Sequence, residues 1–402
     1  MNNPLFRTAL VLGLLSAIGP FAIDMYLPAL PSIGSSLNAS ANAVQMSLMS
    51  FFLALGLGQM VYGPASDMFG RKLPLYVGLV MFGAGSVGCA LAPDIHALVL
   101  WRTVQGLGAC AGMVVPRAVV RDLHTGEEAA SLTALLTLVF SVSPILAPLL
   151  GSFLIEWSSW RAVFWAVTLA AALALVLLFT GLKETRSPES RLDSSVASAL
   201  RGYGVLLRDA HFIGLVLIGA FGISSFFAYL SNSSFVLINH YGLTPREYSY
   251  AFGANAASFI GMSQLTGRMV RRFGMVPLVR LAVGGYAATM ALLLVLHLAG
   301  LESLALMLGL LFLGFGFLGL VLPTSAVLAL DEHGAIAGTA SALMGTLQFL
   351  VGAAVMACVG LFVDGTARPM LAGIAASALL TLLFTWTTLR HHTQKPPTSA
   401  LP

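Results

Sequence analysis

Long apolar runs recur from one end of this chain to the other, and the short stretches between them carry nearly all of its charge. Each run holds about 20 residues or more, enough to cross a ~30 Å hydrocarbon layer as an α-helix. The pattern predicts twelve spans, at 5–30, 43–65, 73–92, 96–118, 131–155, 161–182, 211–238, 247–270, 276–298, 303–329, 336–363 and 367–389. Together they consume most of the 402 residues and leave no room for a separate soluble domain. The predicted fold class is an all-α membrane protein, with twelve transmembrane helices in two pseudo-symmetric six-helix halves around a central cavity. The first run has no small-residue cleavage site, so no removable leader is expected.

The longest connection divides the spans six and six. The predicted organisation is an N-terminal half at 1–182, a cytoplasmic linker at 183–210, a C-terminal half at 211–390 and a disordered tail at 391–402. Within the linker, Val196, Leu200, Tyr203 and Leu207 fall at helical spacing with Arg201 and Arg208 on the flanks. This reads either as a short helix lying on the membrane surface or as an ordinary connection. A weak repeat relates the halves. Gly63, Gly70 and Arg71–Lys72 sit between spans two and three, and Gly267, Gly274 and Arg271–Arg272 between spans eight and nine. Duplicated halves around a midplane site are a common transporter plan.

Composition agrees: 58% of residues are apolar and 9% charged, against roughly 25% charged in soluble domains. With the amino terminus inside, sixteen of the 20 Lys and Arg fall on the cytoplasmic side, Arg161, Arg246 and Arg368 fall outside, and Arg102 is buried. That asymmetry predicts a multi-pass protein of the bacterial inner membrane with both termini cytoplasmic. The net charge of +4 then reflects topology; it fits a lipid bilayer and needs no nucleic acid. Cys89, Cys110 and Cys358 lie in apolar runs without ligand spacing and read as small packing residues, so neither a disulfide nor a metal site is expected. The chain carries no HExxH, no Gly-x-Ser-x-Gly and no phosphate-cradling loop, so a non-enzyme with no catalytic residues is expected. Nothing requires more than a monomer.

Asp24 is the one carboxylate deep inside an apolar run. A membrane acid costs at least ~2.5–3.5 kcal/mol unless paired, hydrated or protonated, and so marks function. Arg102 is the one basic residue well inside a run, and both lie about 10 Å below the same membrane edge at 1.5 Å per residue. A pair or a water-bridged contact is feasible, either as a proton switch or as a static ion pair holding the fold. Near Arg102, Gln105, Gly106, Gly108, Ala109 and Gly112 form a small-residue face for close helix contact, and Asp122 is the expected local partner of Arg117 and Arg121. Pro144, Pro148 and Gly151 in span five predict a kinked helix, for gating or merely for packing. Asp331 and Glu332 are expected to cap span eleven, and His297 has no apparent partner.

Several motifs add a family resemblance. Gly63-Pro-Ala-Ser-Asp67-Met-Phe-Gly70-Arg71-Lys72 resembles the loop signature of the major facilitator superfamily. Leu98-Val-Leu-Trp-Arg102-Thr-Val-Gln105-Gly106-Leu-Gly108 resembles its fourth-helix motif. Ser143-Pro144 through Pro148 and Gly151 resembles its antiporter motif, with Ala147 where a glycine is usual. Ile23-Asp24-Met-Tyr-Leu-Pro28-Ala-Leu-Pro31, Trp160-Arg161 with Phe164, and Gly338-Thr-Ala-Ser-Ala-Leu343 are similar to the bicyclomycin/chloramphenicol-resistance (Bcr/CflA) family of drug–proton antiporters. The resemblance spans the whole chain.

The resemblance implies proton-coupled efflux of small drugs by alternating access, with protons as the coupling ion and no cofactor. Asp24 and Arg102 carry the coupling. Gly63, Asp67, Gly70, Arg71, Lys72, Arg117, Arg121, Pro144, Pro148 and Gly151 carry the gating. Polar and aromatic residues of the spans are candidates for the substrate wall beside Asp24: Tyr26, Phe51, Gln105, Phe226, Tyr229, Asn232, Asn255 and Gln348. Gln45, Gln59, Asn239 and Gln264 are further polar positions that either line the cavity or bond between helices. One acid suggests one proton per cycle. Export of a monovalent cation against one proton cancels the electrical drive, so neutral compounds, phenicol- or bicyclomycin-like, are expected. A proton-linked importer, or an exporter of sugars or metabolites, shares the same fold and logic.

Overall fold

The computed structural model describes residues 4–124, 126–192 and 195–390; the predicted tail at 391–402 and Asp193 of the linker lie outside them. The first half holds α1 (Pro4–Asp24), α2 (Leu30–Ser36), α3 (Ala41–Phe69), α4 (Lys72–Leu91), α5 (Ile95–Leu123), α6 (Gly126–Trp157) and α7 (Trp160–Gly181). The linker contributes α8 (Pro188–Leu192) and α9 (Val196–Arg208). The second half holds α10 (Ala210–Ser234), α11 (Pro245–Phe273), α12 (Met275–Leu298), α13 (Leu304–Asp331), α14 (Ala337–Gly360) and α15 (Arg368–Leu389).

Polar residues between the apolar runs set where helices start. Ser40, Asp94 and Ser303 each accept a backbone N–H three residues on, and Thr244 with Glu247 forms a reciprocal capping box at the head of α11. Apolar side chains such as Val61, Val80, Leu169, Phe179, Leu281 and Trp386 stay exposed on the outside of the bundle. Such a surface suits lipid. Eleven segments are long and apolar enough to cross a membrane. Helix α11 makes the twelfth crossing; it is 29 residues long but carries Arg246, Glu247, Asn255, Gln264 and Arg268, and it packs between α13 and α6.

Two predicted spans are not continuous helices. The first run breaks at Asp24, turns through Met25 and Tyr26 into a short 3-10 turn at Leu27–Ala29, and resumes as α2. Pro28 and Pro31 explain the break, since neither can donate to the preceding turn. The seventh run leaves α10 through a π-helical turn at Phe235–His240.

The two repeats match in backbone detail. Gly70 after α3 has φ 88° and ψ 170°, and Gly274 after α11 has φ 80° and ψ 162°. Both turns use the left-handed region that glycine enters at no steric cost.

The halves meet along two seams. Along α3 and α14 the contact runs end to end: Gly360 lies under Asn42, Gly56 under Phe349, and Gly345 against the Gln59 amide. Thr346 Oγ1 donates to the Gly56 carbonyl at 2.9 Å, and Phe52, Phe227 and Phe349 stack across the seam with centroids 4.6–5.7 Å apart. The second seam, α6 with α11, closes only at the end remote from the linker. There Ser249 Oγ donates to the Pro148 carbonyl at 2.9 Å and Arg246 pairs with Glu156 at 2.6 Å.

Helix α9 forms where predicted. Tyr203 and Leu206 are buried against the bundle, with the Tyr203 hydroxyl 3.5 Å from the Met60 carbonyl, while Val196, Leu200 and Leu207 remain exposed. Asp331 and Glu332 do not cap α14. They end α13 instead, and α14 begins after a 3-10 turn with Ile336 at its cap. Cys89 and Cys110 are buried, whereas Cys358 is exposed and fills no packing role.

Candidate functional site

Asp24 is the last helical residue of α1, and the break behind it brings α6 close. Gly151 of α6 sits against the Met25 backbone carbonyl, where any side chain collides with main chain. From the same helix, Ser143 Oγ donates to Asp24 Oδ2 at 3.1 Å. Tyr248 of α11 lies near enough to interact with the Asp24 charge, and its hydroxyl hydrogen-bonds Ser233 at 3.1 Å. Asp24 thus sits where three elements meet: the broken first helix, the proline-bearing α6, and a helix of the other half.

Arg102 is fully buried, but Asp24 is not its partner. No ion pair joins them among the described residues. Arg102 Nη1 donates to Gln105 Oε1 at 2.7 Å and to the Ala22 carbonyl at 3.3 Å. The guanidinium lies 4.4 Å from the Tyr26 ring centroid and 4.3 Å from that of Phe51. Its Nε and Nη2 are buried without a hydrogen-bond partner. Aromatic faces are therefore the main counterweight to this charge. Gln105 Nε2 continues the network to Ser86 Oγ at 2.8 Å. The expected small-residue face is present: Gly106 packs on the Phe51 backbone, Gly108 on Gly78 and Phe82, and Gly112 on the Leu15 carbonyl.

A cavity of about 840 Å³ opens at the linker end of the α6–α11 seam. It is lined by Ala9 of α1, by α6 from Ser131 to Ser141, and by Ile260 and Gln264 of α11. No charged side chain is among these lining residues. Ser141 lines the cavity, and Ser143, the partner of Asp24, is two residues further along α6, ~3 Å deeper at 1.5 Å per residue. Ser143 and Asp24 are both buried and neither lines the cavity, so the carboxylate lies behind the cavity wall on the other side of α6.

The predicted substrate wall is elsewhere. None of Tyr26, Phe51, Gln105, Phe226, Tyr229, Asn232, Asn255 or Gln348 lines this cavity. Tyr26 gives its hydroxyl contact to Ser47 at 2.6 Å, and Phe51 and Gln105 hold Arg102. Asn255 donates to the Tyr229 hydroxyl at 3.0 Å, inside an aromatic cluster with Phe226, Phe252 and Phe315. Asn232 accepts from Gln45 at 2.9 Å, tying α10 to α3 across the halves at the end remote from the linker. Gln264 alone of the predicted polar positions faces the cavity.

The predicted gating residues divide. Arg71, itself buried, reaches Asp67 at 2.7 Å, Asp122 at 2.7 and 3.1 Å and Ser66 at 2.9 Å. Asp122 therefore serves Arg71, not Arg117 or Arg121. The linker closes over this cluster: Glu184 accepts the backbone N–H groups of Arg71 and Lys72 at 2.9 and 3.1 Å, and Arg186 Nε donates to the Asp67 carbonyl at 3.1 Å. Burial pushes the Glu184 carboxyl up, but accepting backbone N–H bonds from Arg186, Arg71, Lys72 and Thr185 outweighs it and holds the carboxyl below its ordinary value. The positive φ of Gly70 favours glycine, and a Cβ there would also displace the ends of the Glu184 and Arg191 side chains. Arg117 lies over the Phe140 ring at 5.4 Å and Arg121 is exposed; Gly63 has open space beside it. Lys72 lies 5.6 Å from the Tyr76 ring. His297, expected to stand alone, has Glu302 at 3.6 Å.

Comparison with known proteins follows the same lines. A family model described as Major Facilitator Superfamily matches residues 12–357. The chain is 37% identical over 375 residues to "Uncharacterized MFS-type transporter YdgK" of Bacillus subtilis (strain 168), covering 92% of each. It is 29% identical to the "Bicyclomycin resistance protein homolog" of Haemophilus influenzae, over 94% of this chain and 95% of that one. Among solved structures it resembles a D-xylose-proton symporter, with TM-score 0.75 at 20% identity, covering 96% of this chain and 98% of the other. The chain belongs to the Major Facilitator Superfamily and, within it, to the branch of bicyclomycin- and chloramphenicol-resistance proteins.

Proposed function

We propose that this protein is a proton-coupled exporter of small neutral drugs in the bacterial inner membrane, with both termini in the cytoplasm and the cavity opening inward. The observation that carries the reading is the buried Asp24 carboxylate, which accepts from Ser143 of α6, the helix whose other residues line an uncharged cavity at the seam of the two halves. The names of the resistance relatives support drug efflux as the task. The excess of Lys and Arg at the linker end supports the orientation. The chain acts as two six-helix halves joined by the 183–210 linker, whose α9 lies on the membrane surface.

In the cycle, Asp24 takes a proton from the outside as drug leaves. The halves then rock so that the cavity faces inward, and loss of the proton to the cytoplasm prepares the site for drug. Arg102, set between aromatic rings, keeps positive charge at the level of the break without neutralising Asp24 by direct pairing. The cluster of Asp67, Arg71, Asp122 and Glu184 holds the first half rigid at the cytoplasmic end. Neutral substrates fit because the side chains that line the cavity carry no charge to compensate an ion for its lost hydration.

Drug-induced proton movement in reconstituted vesicles tests the reading, with wild type beside Asp24→Asn. Proton release on adding a phenicol, absent in the variant, is the expected result. Unchanged release in the variant moves the coupling away from Asp24.

A further inference from the structure

The cavity wall on α6 contains a ladder of hydroxyls. Thr133 donates to the Ala129 carbonyl at 2.7 Å, Thr137 to the Thr133 carbonyl at 2.9 Å and Ser141 to the Thr137 carbonyl at 2.9 Å. All three line the 840 Å³ cavity. A hydroxyl has one hydrogen and two lone pairs. Each hydrogen here is committed to the helix backbone, so what remains toward the cavity is acceptor capacity alone. The three oxygens follow one another at i, i+4 and i+8, ~6 Å per step along the axis. Across the cavity stands Gln264, whose amide makes no hydrogen bond among the described residues and which can both donate and accept.

We infer that the Thr133–Thr137–Ser141 ladder selects substrates by their hydrogen-bond donors, favouring neutral molecules that carry O–H or N–H groups about 6 Å apart over analogues in which those groups are capped or replaced. The inference rests on the cavity being the drug site proposed above. It adds the feature by which that site discriminates. A ligand offering only acceptors meets the lone pairs of the ladder and loses its water hydrogen bonds without replacement. A hydroxyl-bearing ligand donates to the ladder and keeps its acceptors for Gln264. Since the hydroxyls are spent on the backbone, rotating them toward an acceptor ligand breaks an existing hydrogen bond. This asymmetry makes the wall a reader of donors and not a generic polar surface.

Thiamphenicol and florfenicol differ in a terminal hydroxyl that florfenicol replaces with fluorine, so they isolate one donor. Their affinities are measured by calorimetry on the full-length protein in lipid nanodiscs, for wild type, Thr137→Val, the Thr133→Val/Thr137→Val double variant and Thr168→Val. Thr168 carries the same kind of backbone-bonded hydroxyl on α7, away from the cavity. The expected result is tighter binding of thiamphenicol by wild type and by Thr168→Val, roughly two- to tenfold. In the double variant the ratio falls to about one, and a thermal midpoint equal to that of Thr168→Val shows that the variant is folded. A ratio undiminished in the double variant overturns the donor reading and leaves the efflux reading standing. If wild type binds neither compound, the phenicol form of the efflux reading falls, and this inference falls with it.

Discussion

Ser143 donates its hydroxyl to Asp24 at 3.1 Å, and that bond joins the break in α1 to the proline-bearing α6. The acid is thus coupled to a helix that also lines the cavity and makes half of a seam. In the proposed cycle, proton occupancy and the position of α6 are linked at this one contact. Asp24→Asn keeps the shape and an acceptor for Ser143 but cannot exchange a proton. Drug binding in that variant is expected to remain, while drug-induced proton release disappears, as read by a pH-sensitive dye in proteoliposomes.

Arg102 is held by cation–π contact more than by charge pairing. Arg102→Lys keeps the charge but loses the guanidinium beside Tyr26 and Phe51, and with it the Nη1 bonds to Ala22 and Gln105. A desolvated cation–π contact is worth about 2 kcal/mol. Lysine is expected to lower the thermal midpoint in detergent and to cut transport at least tenfold. Transport unchanged in Arg102→Lys would mean that charge alone matters here.

Arg71 is buried between carboxylates that are partly exposed, Asp67 at 45% and Asp122 at 16%. Solvent therefore screens part of the attraction, and Arg71→Ala is expected to cost about 2 kcal/mol rather than the full penalty of a wholly buried pair. Chemical unfolding of the purified protein measures this directly. Glu184 adds a pH signature to the same cluster. Its carboxyl titrates below the ordinary glutamate value in the folded protein, so its contribution is complete above roughly pH 4.3 and is lost as pH falls through the folded value. Glu184→Gln should therefore lower the midpoint at neutral pH and flatten the decline of stability in acid.

Gln45 and Asn232 bond across the halves only while the end remote from the linker is closed. In Asn232→Leu the Gln45 amide is left buried without its acceptor, which costs the closed state about 1–3 kcal/mol. The population is expected to move toward opening at that end, seen as a longer distance between spin labels placed on the ends of α6 and α11 remote from the linker. An unchanged distance distribution would assign closure to Arg246 with Glu156 and to Ser249 instead.

Gly151→Val places a side chain on the Met25 carbonyl. Overpacking of this kind costs about 1–3 kcal/mol. Because the collision falls on the α1 break, proton coupling should suffer before folding does, as a paired measurement of midpoint and proton release will show.

Helix count, the two-half repeat and the burial of Asp24 were all legible in the sequence, because hydropathy, repeated Gly–basic turns and a lone acid are local signals. The break at Asp24 had a signal too, in Pro28 and Pro31, but a helix that stops and resumes keeps its hydropathy and so reads as one run. The partnership of Asp122 with Arg71 spans 51 positions and depends on how α3 and α5 cross, which spacing cannot supply. The aromatic and amide residues expected to line the cavity are the ones most able to satisfy one another in a packed interior, as Asn255 with Tyr229 and Gln105 with Arg102 do. The α6–α11 cavity is lined instead by Thr133, Thr137 and Ser141 among others, whose back-bonded hydroxyls pass for neutral in any hydropathy reading.

The glycine-backed contacts of Asn42, Phe349 and Gln59 leave α3 and α14 no slack along their length, whereas α6 and α11 touch at one end only. Two bodies fastened along one edge swing as a book does on its spine. The widest part of such an opening lies on the far edge, between α6 and α11, and faces lipid sideways as well as water endways. Under the proposed cycle, a compound dissolved in the bilayer is expected to enter laterally, and its partitioning into the leaflet on the linker side then sets the concentration that the protein meets.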